Sequence, residues 1–467
     1  MALLPALSIA QRALIANETA LTVTGNNIAN ANTPGYTRQV PELLANDPVR
    51  LSSGILVGTG VHVDSVQQVL DPLLERRLLR AGTDSSEQSA LSDRLGALAG
   101  VLNDLDTPSL GSVVSDFFDA ADAVARNPEG LAERQTLLSR AGALTRELAR
   151  RYEAVGGLQR EADQRYVAGV TRANDLLGQL ADLNQGIVTS ETSGQKANEL
   201  RDQRRLALGE LAGIVGIATV ENADGSVTVS AADGTVLVAE GDVVHALAVR
   251  SGGAGLDGTA LHDAGFVDPA GGFLPDAAAF TTGELAGLAA ARDNYLPTAA
   301  GALDTLAVAL RDQVNAVQTD PAARDLDGNP TAAVPLFGGT GASDLTVLVT
   351  DPRNVAAALS AEPGDNQNAL RLADLRTTRI ASLGDLPFTG YVAERQGQIG
   401  EDAARAEDAA KATQALQQQL QNQHESVAGV NLNEELTNLL KYQRAFQAAS
   451  QVIGVTNGML DELFKVF

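Results

Sequence analysis

Leu432, Leu439, Phe446, Ile453, Leu460 and Phe467 stand seven residues apart without a miss, and Leu436, Tyr442, Ala449 and Leu463 thicken the same stripe. A period of seven belongs to a helix that buries one seam against another helix, because 3.5 residues per turn keep one face toward the partner. Asn431, with Glu434 three places on, marks the start as a capping box whose amide oxygen takes an orphan amide hydrogen of the first turn. The opening of the chain repeats the pattern, with Leu7, Leu14, Leu21 and Ile28 at sevens. Pro34 disfavours the helical region at Thr33 and Pro34-Gly35 is a turn dipeptide, so the first helix ends near Asn32.

Single helices of this length are marginal in water, since nucleation is costly and half a seam gains nothing until it is covered. Burying a large seam residue contributes roughly 1.5–3 kcal/mol, against about 1–2 kcal/mol per residue for ordering the backbone. Each end therefore needs a partner. The period leaves two partners open: the helical domain next in the chain, or the other end, in a small terminal domain that polymerises.

Between the ends, "GILVGTGVHVDSVQQV" (Gly54–Val69) alternates as a strand or a hairpin does. Asp71-Pro72 opens a long helical region to about Gly213, broken at "DTPSLG" and "RNPEG". From Val215 the period becomes two, around Asp224-Gly225 and Asp233-Gly234, the signature of hairpin turns. Helical period resumes at "GELAGLAAARDNY", a loop-rich part follows with one strand candidate, "LTVLVT", and helix returns before the tail. The expected fold is mainly α and elongated, with terminal coiled-coil helices and a long helical bundle carrying an inserted β-rich domain. The expected division is 1–32 with 430–467 as a terminal polymerisation domain, 33–214 with 285–429 as a discontinuous helical framework (loop- and strand-rich over 320–368), and 215–284 as the β-rich outer domain.

Composition then excludes whole classes of function. Asp plus Glu outnumber Lys plus Arg by 58 to 34, a net charge of −24, which opposes nucleic-acid binding. Cysteine is absent, so disulfides, thiolate catalysis and zinc–thiolate sites are out. Arg12 and Glu18 interrupt the first apolar stretch, so neither a Sec-type signal nor membrane insertion is expected. "GASDL" at Gly341 lacks the closing glycine of a nucleophile elbow, "SGQK" at Ser193 has no companion motifs, and the four histidines are scattered. "DLDGNP" (Asp325–Pro330) places its glycine one position early for a calcium loop and Leu336 where a glutamate belongs, so it reads as a turn. No catalytic, cofactor or metal site is expected, and the chain reads as a non-enzyme.

"TVTGNNIANANTPGYTRQ" (Thr22–Gln39) closely resembles the N-terminal signature of bacterial flagellar axial proteins, the rod, hook and hook-associated family. "GVNLNEELTNLLKYQRAFQAASQVIGVTNGMLDELF" (Gly429–Phe464) is similar to that family's C-terminal signature. "NELRDQRRLALGELAGIVGIATVENADGSVTVS" and "PGDNQNALRLADLR" resemble a hook-associated member. Asn433 stands where the family commonly has Asp, Gly25 where a hydroxyl residue is frequent, and the β insertion is short, which implies that an outermost domain of some members is missing or reduced.

The resemblance implies a structural subunit secreted through the flagellar export channel to the hook–filament junction, transiently cytoplasmic before export. Implied partners are hook protein, hook-associated protein 3, copies of itself in a ring of one helical turn, and a cytoplasmic export chaperone on the C-terminal helix. Alternatives are a hook or rod subunit that polymerises at length, and an acidic intracellular coiled-coil scaffold.

The assembly residues expected are Leu7, Leu14, Leu21, Ile28, Leu432, Leu436, Leu439, Phe446, Ile453, Leu460 and Phe467 together with Asn26, Asn27, Asn30, Asn32, Pro34, Gly35 and Tyr36. Helix-stop capping explains Asn32, Pro34 and Gly35. It explains Asn26, Asn27 and Asn30 poorly, and polar amides beside a seam can fix register or bond a neighbouring chain.

Overall fold

In the computed structural model, residues 3–50, 56–103, 108–192, 194–267, 271–275 and 277–466 are described. The chain opens with α1 (Leu3–Ala29), and a hairpin follows in which β1 (Gln39–Ala45) pairs antiparallel with β4 (Val61–Gln68). A bulge at Glu42/Leu43 bends this hairpin, and β2 (Val49–Arg50) and β3 (Leu56–Val57) pair at its tip. The hairpin packs along α1.

Four helices come next: α2 (Pro72–Leu102), α3 (Leu110–Arg126), α4 (Leu131–Glu191) and α5 (Asn198–Ile214). Asp71 caps α2, its Oδ1 accepting from the amides of Leu73 (2.9 Å) and Leu74 (3.3 Å), with Pro72 in the first turn where its missing amide hydrogen costs nothing. Fully buried Arg151 caps the other end, Nη1 donating to the carbonyls of Val101 (2.9 Å) and Leu102 (2.7 Å). The helical period gives no sign of the α4–α5 break, where Gly194 takes φ +82°.

A four-stranded antiparallel sheet follows in chain order, β5 (Ile217–Glu221), β6 (Val227–Ala231), β7 (Val236–Ala239) and β8 (Asp242–Val243). Gly225 and Gly234 adopt φ +90° and +95° in the turns at the two Asp-Gly pairs. β9 (Leu247–Ala254), β10 (Ala260–Val267) and β11 (Phe273–Pro275) form a second sheet with β10 central. Next come α6 (Glu284–Ala290), a π-helical turn (Ala291–Tyr295) and α7 (Leu296–Gln318). In the loop-rich part β12 (Phe337–Gly338) pairs with β13 (Thr346–Val347), and single bridges join Arg324 to Pro330 and Ala358, so "LTVLVT" supplies two strand residues while Leu345 and Val349 enter the core. Last are α8 (Gln367–Asp374), α9 (Phe388–Ala428) and α10 (Leu432–Val466).

Two cores share α4. Leu137, Leu144 and Leu148 join Phe117, Phe118, Phe337 and Phe388 in one core, while Val170, Leu177 and Leu180 join Leu211, Val229 and Leu237 in the other. Asp163, between them, accepts from Arg292 Nη1 and the His262 amide, both at 2.8 Å, and lies 2.7 Å from His262 Nδ1. The π turn swings Arg292 inward, with its guanidinium 4.7 Å from the Tyr166 ring centre, so β10, α4 and the start of α7 are pinned together. The fold is thus mainly α with small antiparallel sheets inserted. No helix among the described residues is long and apolar enough to cross a membrane.

Candidate assembly site

α1 and α10 pack against each other, and α9 runs beside α2. Leu7, Leu14, Leu21 and Ile28 are half-buried, as are Leu439, Phe446, Ile453 and Leu460. The C-terminal seam is not the simple apolar stripe expected. Leu432 and Leu436 are 48% and 51% exposed, and the buried places three residues after Leu432, Phe446 and Ile453 go to Glu435, Ala449 and Thr456. Leu436 therefore lies outside the seam it was expected to thicken: a seam set by Leu439, Phe446 and Ile453 puts position 435, not 436, against α1. Leu463 and Phe467 lie outside the described side chains.

Glu435 is 2% exposed and is charge-matched from the turn after α1. Arg38 Nε donates to Glu435 Oε1 at 2.8 Å, and its Nη1 lies 2.9 Å from Glu434. Only half of the capping box closes: Asn431 Oδ1 accepts from the amide of Asn433 at 3.0 Å, while Glu434 turns away to Arg38.

Asn27, 1% exposed, completes the junction. Its Nδ2 donates to Gln39 O (2.8 Å) and Glu435 Oε2 (3.1 Å), and its Oδ1 accepts from the Gln39 amide (3.0 Å) and the Tyr36 hydroxyl (2.8 Å). All four hydrogen-bonding positions of this amide are filled inside the chain, so Asn27 fixes α1, the turn and α10 together and has none left for a neighbouring subunit. Asn26 Nδ2 donates to the Tyr36 hydroxyl at 3.4 Å, and Asn30 Nδ2 donates to Asn26 Oδ1 at 2.9 Å. Asn32 and Pro34 are exposed. Burial first, then the charges of Glu199, Asp202 and Glu435, raises the Tyr36 phenol above its ordinary value, so it keeps the proton it donates to Asn27.

The turn is also bolted to α5. Asp202 accepts from the Thr37 amide (3.1 Å), the Thr37 hydroxyl (2.7 Å), Gln68 Nε2 (2.6 Å) and Arg205 Nη2 (2.8 Å). Arg205 also donates to Gly35 O, and Gln39 Nε2 to Glu199 at 3.2 Å. Gly35 has φ +76°, and a Cβ there would sit 2.6 Å from the Leu206 side chain. "PGYTRQ" and "NELRDQRR" are therefore two halves of one contact. Sequence reasoning missed Arg38, Glu199, Asp202, Arg205 and Glu435; each is a charge that reads as solvated until its partner, more than 150 positions away, is known.

Elsewhere Asp325 Oδ1 accepts from the amides of Asp327 (2.9 Å) and Asn329 (2.8 Å), which is the side-chain turn expected of "DLDGNP". No cluster of potential metal ligands occurs among the described residues.

Paired chain ends locked to a long helical framework define a structural protein, with polar groups that bond one another instead of converging on a reacting atom. Comparison with known proteins agrees. The family model described as the flagellar hook-associated protein FlgK helical domain matches residues 95–337, a little over half of the chain. A flagella basal body rod protein model matches 7–37, and the C-terminal model of the flagellar basal body rod FlgEFG proteins matches 421–466. The chain belongs to the flagellar hook-associated protein FlgK family, whose members are non-enzymatic structural components of the flagellum. Flagellar hook-associated protein 1 of Bacillus subtilis is 26% identical over 503 residues, covering 98% of this chain and 97% of its own. The Escherichia coli protein of that name is 26% identical over 545 residues, with 98% of each chain covered. The solved flagellar hook junction protein FlgK from Burkholderia pseudomallei has the same fold, with a TM-score of 0.65 at 16% identity over 75% of this chain and all of its own.

Proposed function

We propose that the chain is the subunit that joins the hook to the flagellar filament, exported through the flagellum's own channel and assembled by its terminal helices. The observation that carries this reading is the outer surface of the α1–α10 pair. Leu436, Leu440, Val452, Val455 and Met459 are each about half exposed on α10, and Leu4 and Ile15 are exposed on α1. An isolated subunit gains nothing from this apolar area, whereas copies packed side by side around an axis cover it.

In this reading residues 1–32 and 430–467 form the assembling unit, 33–214 with 285–429 the framework, and 215–284 the outer part. Hook protein lies on one side, hook-associated protein 3 on the other, and copies of the chain form a ring of one helical turn. Before export a cytoplasmic chaperone covers the C-terminal helix. Deleting Leu432 to Phe467 should leave cells with hooks but no filaments. Immunogold label on intact flagella should mark one band at the hook's end; label along the whole hook, or normal filaments on the deletion strain, sinks the proposal.

A further inference from the structure

Leu73, Arg76, Arg77 and Arg80 lie three and four residues apart on one face of α2, and all four are exposed. Among the described residues no carboxylate lies within ion-pair reach of these arginines; Arg76 Nε donates only to Pro72 O, at 3.3 Å, within its own helix. On a chain of net charge −24, three neighbouring cations without a carboxylate partner make a local positive patch.

Beside the stripe runs a groove of about 400 Å³ between α2, α5 and the edge strand β5. Leu79 and Leu208 line it, and at its rim Leu70 and Val220 are 36% and 63% exposed. The other arginines lining the groove are engaged inside the chain: Arg201 is held by Glu191 and Glu221, Arg205 by Asp202, and buried Arg204 donates to Asn184 Oδ1 and the Gly225 carbonyl. Glu75 lies 4.0 Å from Arg205. Uncompensated positive charge therefore comes from α2, next to exposed apolar surface.

We propose that this face docks an acidic segment of a second copy of the same chain, with the α2 arginines selecting it and the apolar groove holding it. Charge complementarity carries the choice of occupant. With 58 acidic against 34 basic side chains, any neighbouring copy presents carboxylates, and two copies repel except where such a cationic face meets them. The proposal rests on the flagellar reading only in expecting copies to be neighbours there.

The test places a photoreactive benzoylphenylalanine at Val220 in the full-length chain, crosslinking both in sheared flagella and in concentrated purified protein. The expected product has twice the chain's mass and disappears in the triple variant Arg76→Glu, Arg77→Glu, Arg80→Glu, whose circular dichroism stays unchanged because these side chains are exposed. An adduct of any other mass, no adduct in either sample, or a doubled-mass adduct indifferent to the triple change overturns the proposal. A blot of the sheared flagella reads the functional proposal separately: absence of the chain there fails that reading, and the purified-protein crosslink still decides this one.

Discussion

Asn27 Nδ2 lies 3.1 Å from Glu435 Oε2, a bond between residues 408 positions apart that closes the chain's two ends on each other. Because both groups are nearly fully buried, each depends on the other for its desolvation cost.

Replacing Asn27 by Ala strands the Gln39 amide and carbonyl and removes a bond from Glu435. A cost of about 2–4 kcal/mol is expected, confined to the terminal helices. Hydrogen exchange should speed up around residues 428–440 while the α3–α4 core keeps its protection. Uniform loosening of both regions would contradict the local role.

Arg38 and Glu435 should be strongly coupled. Arg38→Ala leaves a buried carboxylate without its cation and should destabilise by about 2–4 kcal/mol, whereas Arg38→Ala combined with Glu435→Gln should recover at least half of that. Denaturant unfolding of the four proteins of this cycle measures the coupling, and additive losses would disprove it.

Gly35→Ala meets two obstacles, the positive φ and the Leu206 side chain. We expect a loss of about 1–3 kcal/mol, of which adding Leu206→Ala restores only the steric share. Full restoration in the double variant would show that backbone conformation is immaterial there.

Burial alone would raise the Glu191 carboxyl, but hydrogen bonds from Arg201, the Ala197 amide and Lys196 bring it down from its ordinary 4.5 to about 2. In the unfolded chain it binds its proton first, so its contribution is fully present above pH 4.5 and is lost as pH falls toward 2. Between those limits wild type should lose roughly 1–3 kcal/mol more than Glu191→Gln after allowance for solvent screening. Parallel pH–stability curves would rule this out.

Seam and outer surface should separate in experiment. Phe446→Ser should destabilise the α1–α10 pair, while Leu436→Ser, at a half-exposed site, should change monomer stability by less than about 0.5 kcal/mol yet reduce filament assembly. Normal motility in the Leu436→Ser strain would remove that face from the assembly surface.

The terminal helices were legible because a seven-residue period repeats often enough to exclude other readings, and Pro34-Gly35 gave the stop. Glu435 was not, since the same period that marks Leu439 and Phe446 says nothing of a charge tolerated in the seam once Arg38 and Asn27 meet it. The Asp202 contact was hidden for a related reason: a local pattern reveals which face of α5 is apolar, but hydrogen bonds between residues 165 positions apart leave no period. Even the π turn at Arg292 reads as ordinary helix, because one extra residue in a turn barely disturbs apolar spacing.

A helix of 61 residues spans about 90 Å. With its first half in one core and its second half in the other, α4 works mechanically as a common shaft. Torsion applied at one core reaches the other through an unbroken ladder of backbone hydrogen bonds, and the Asp163–Arg292 clamp at mid-length acts as a collar against slip. For a structural component of the flagellum, stiffness is carried along the length of one helix instead of being shared among joints.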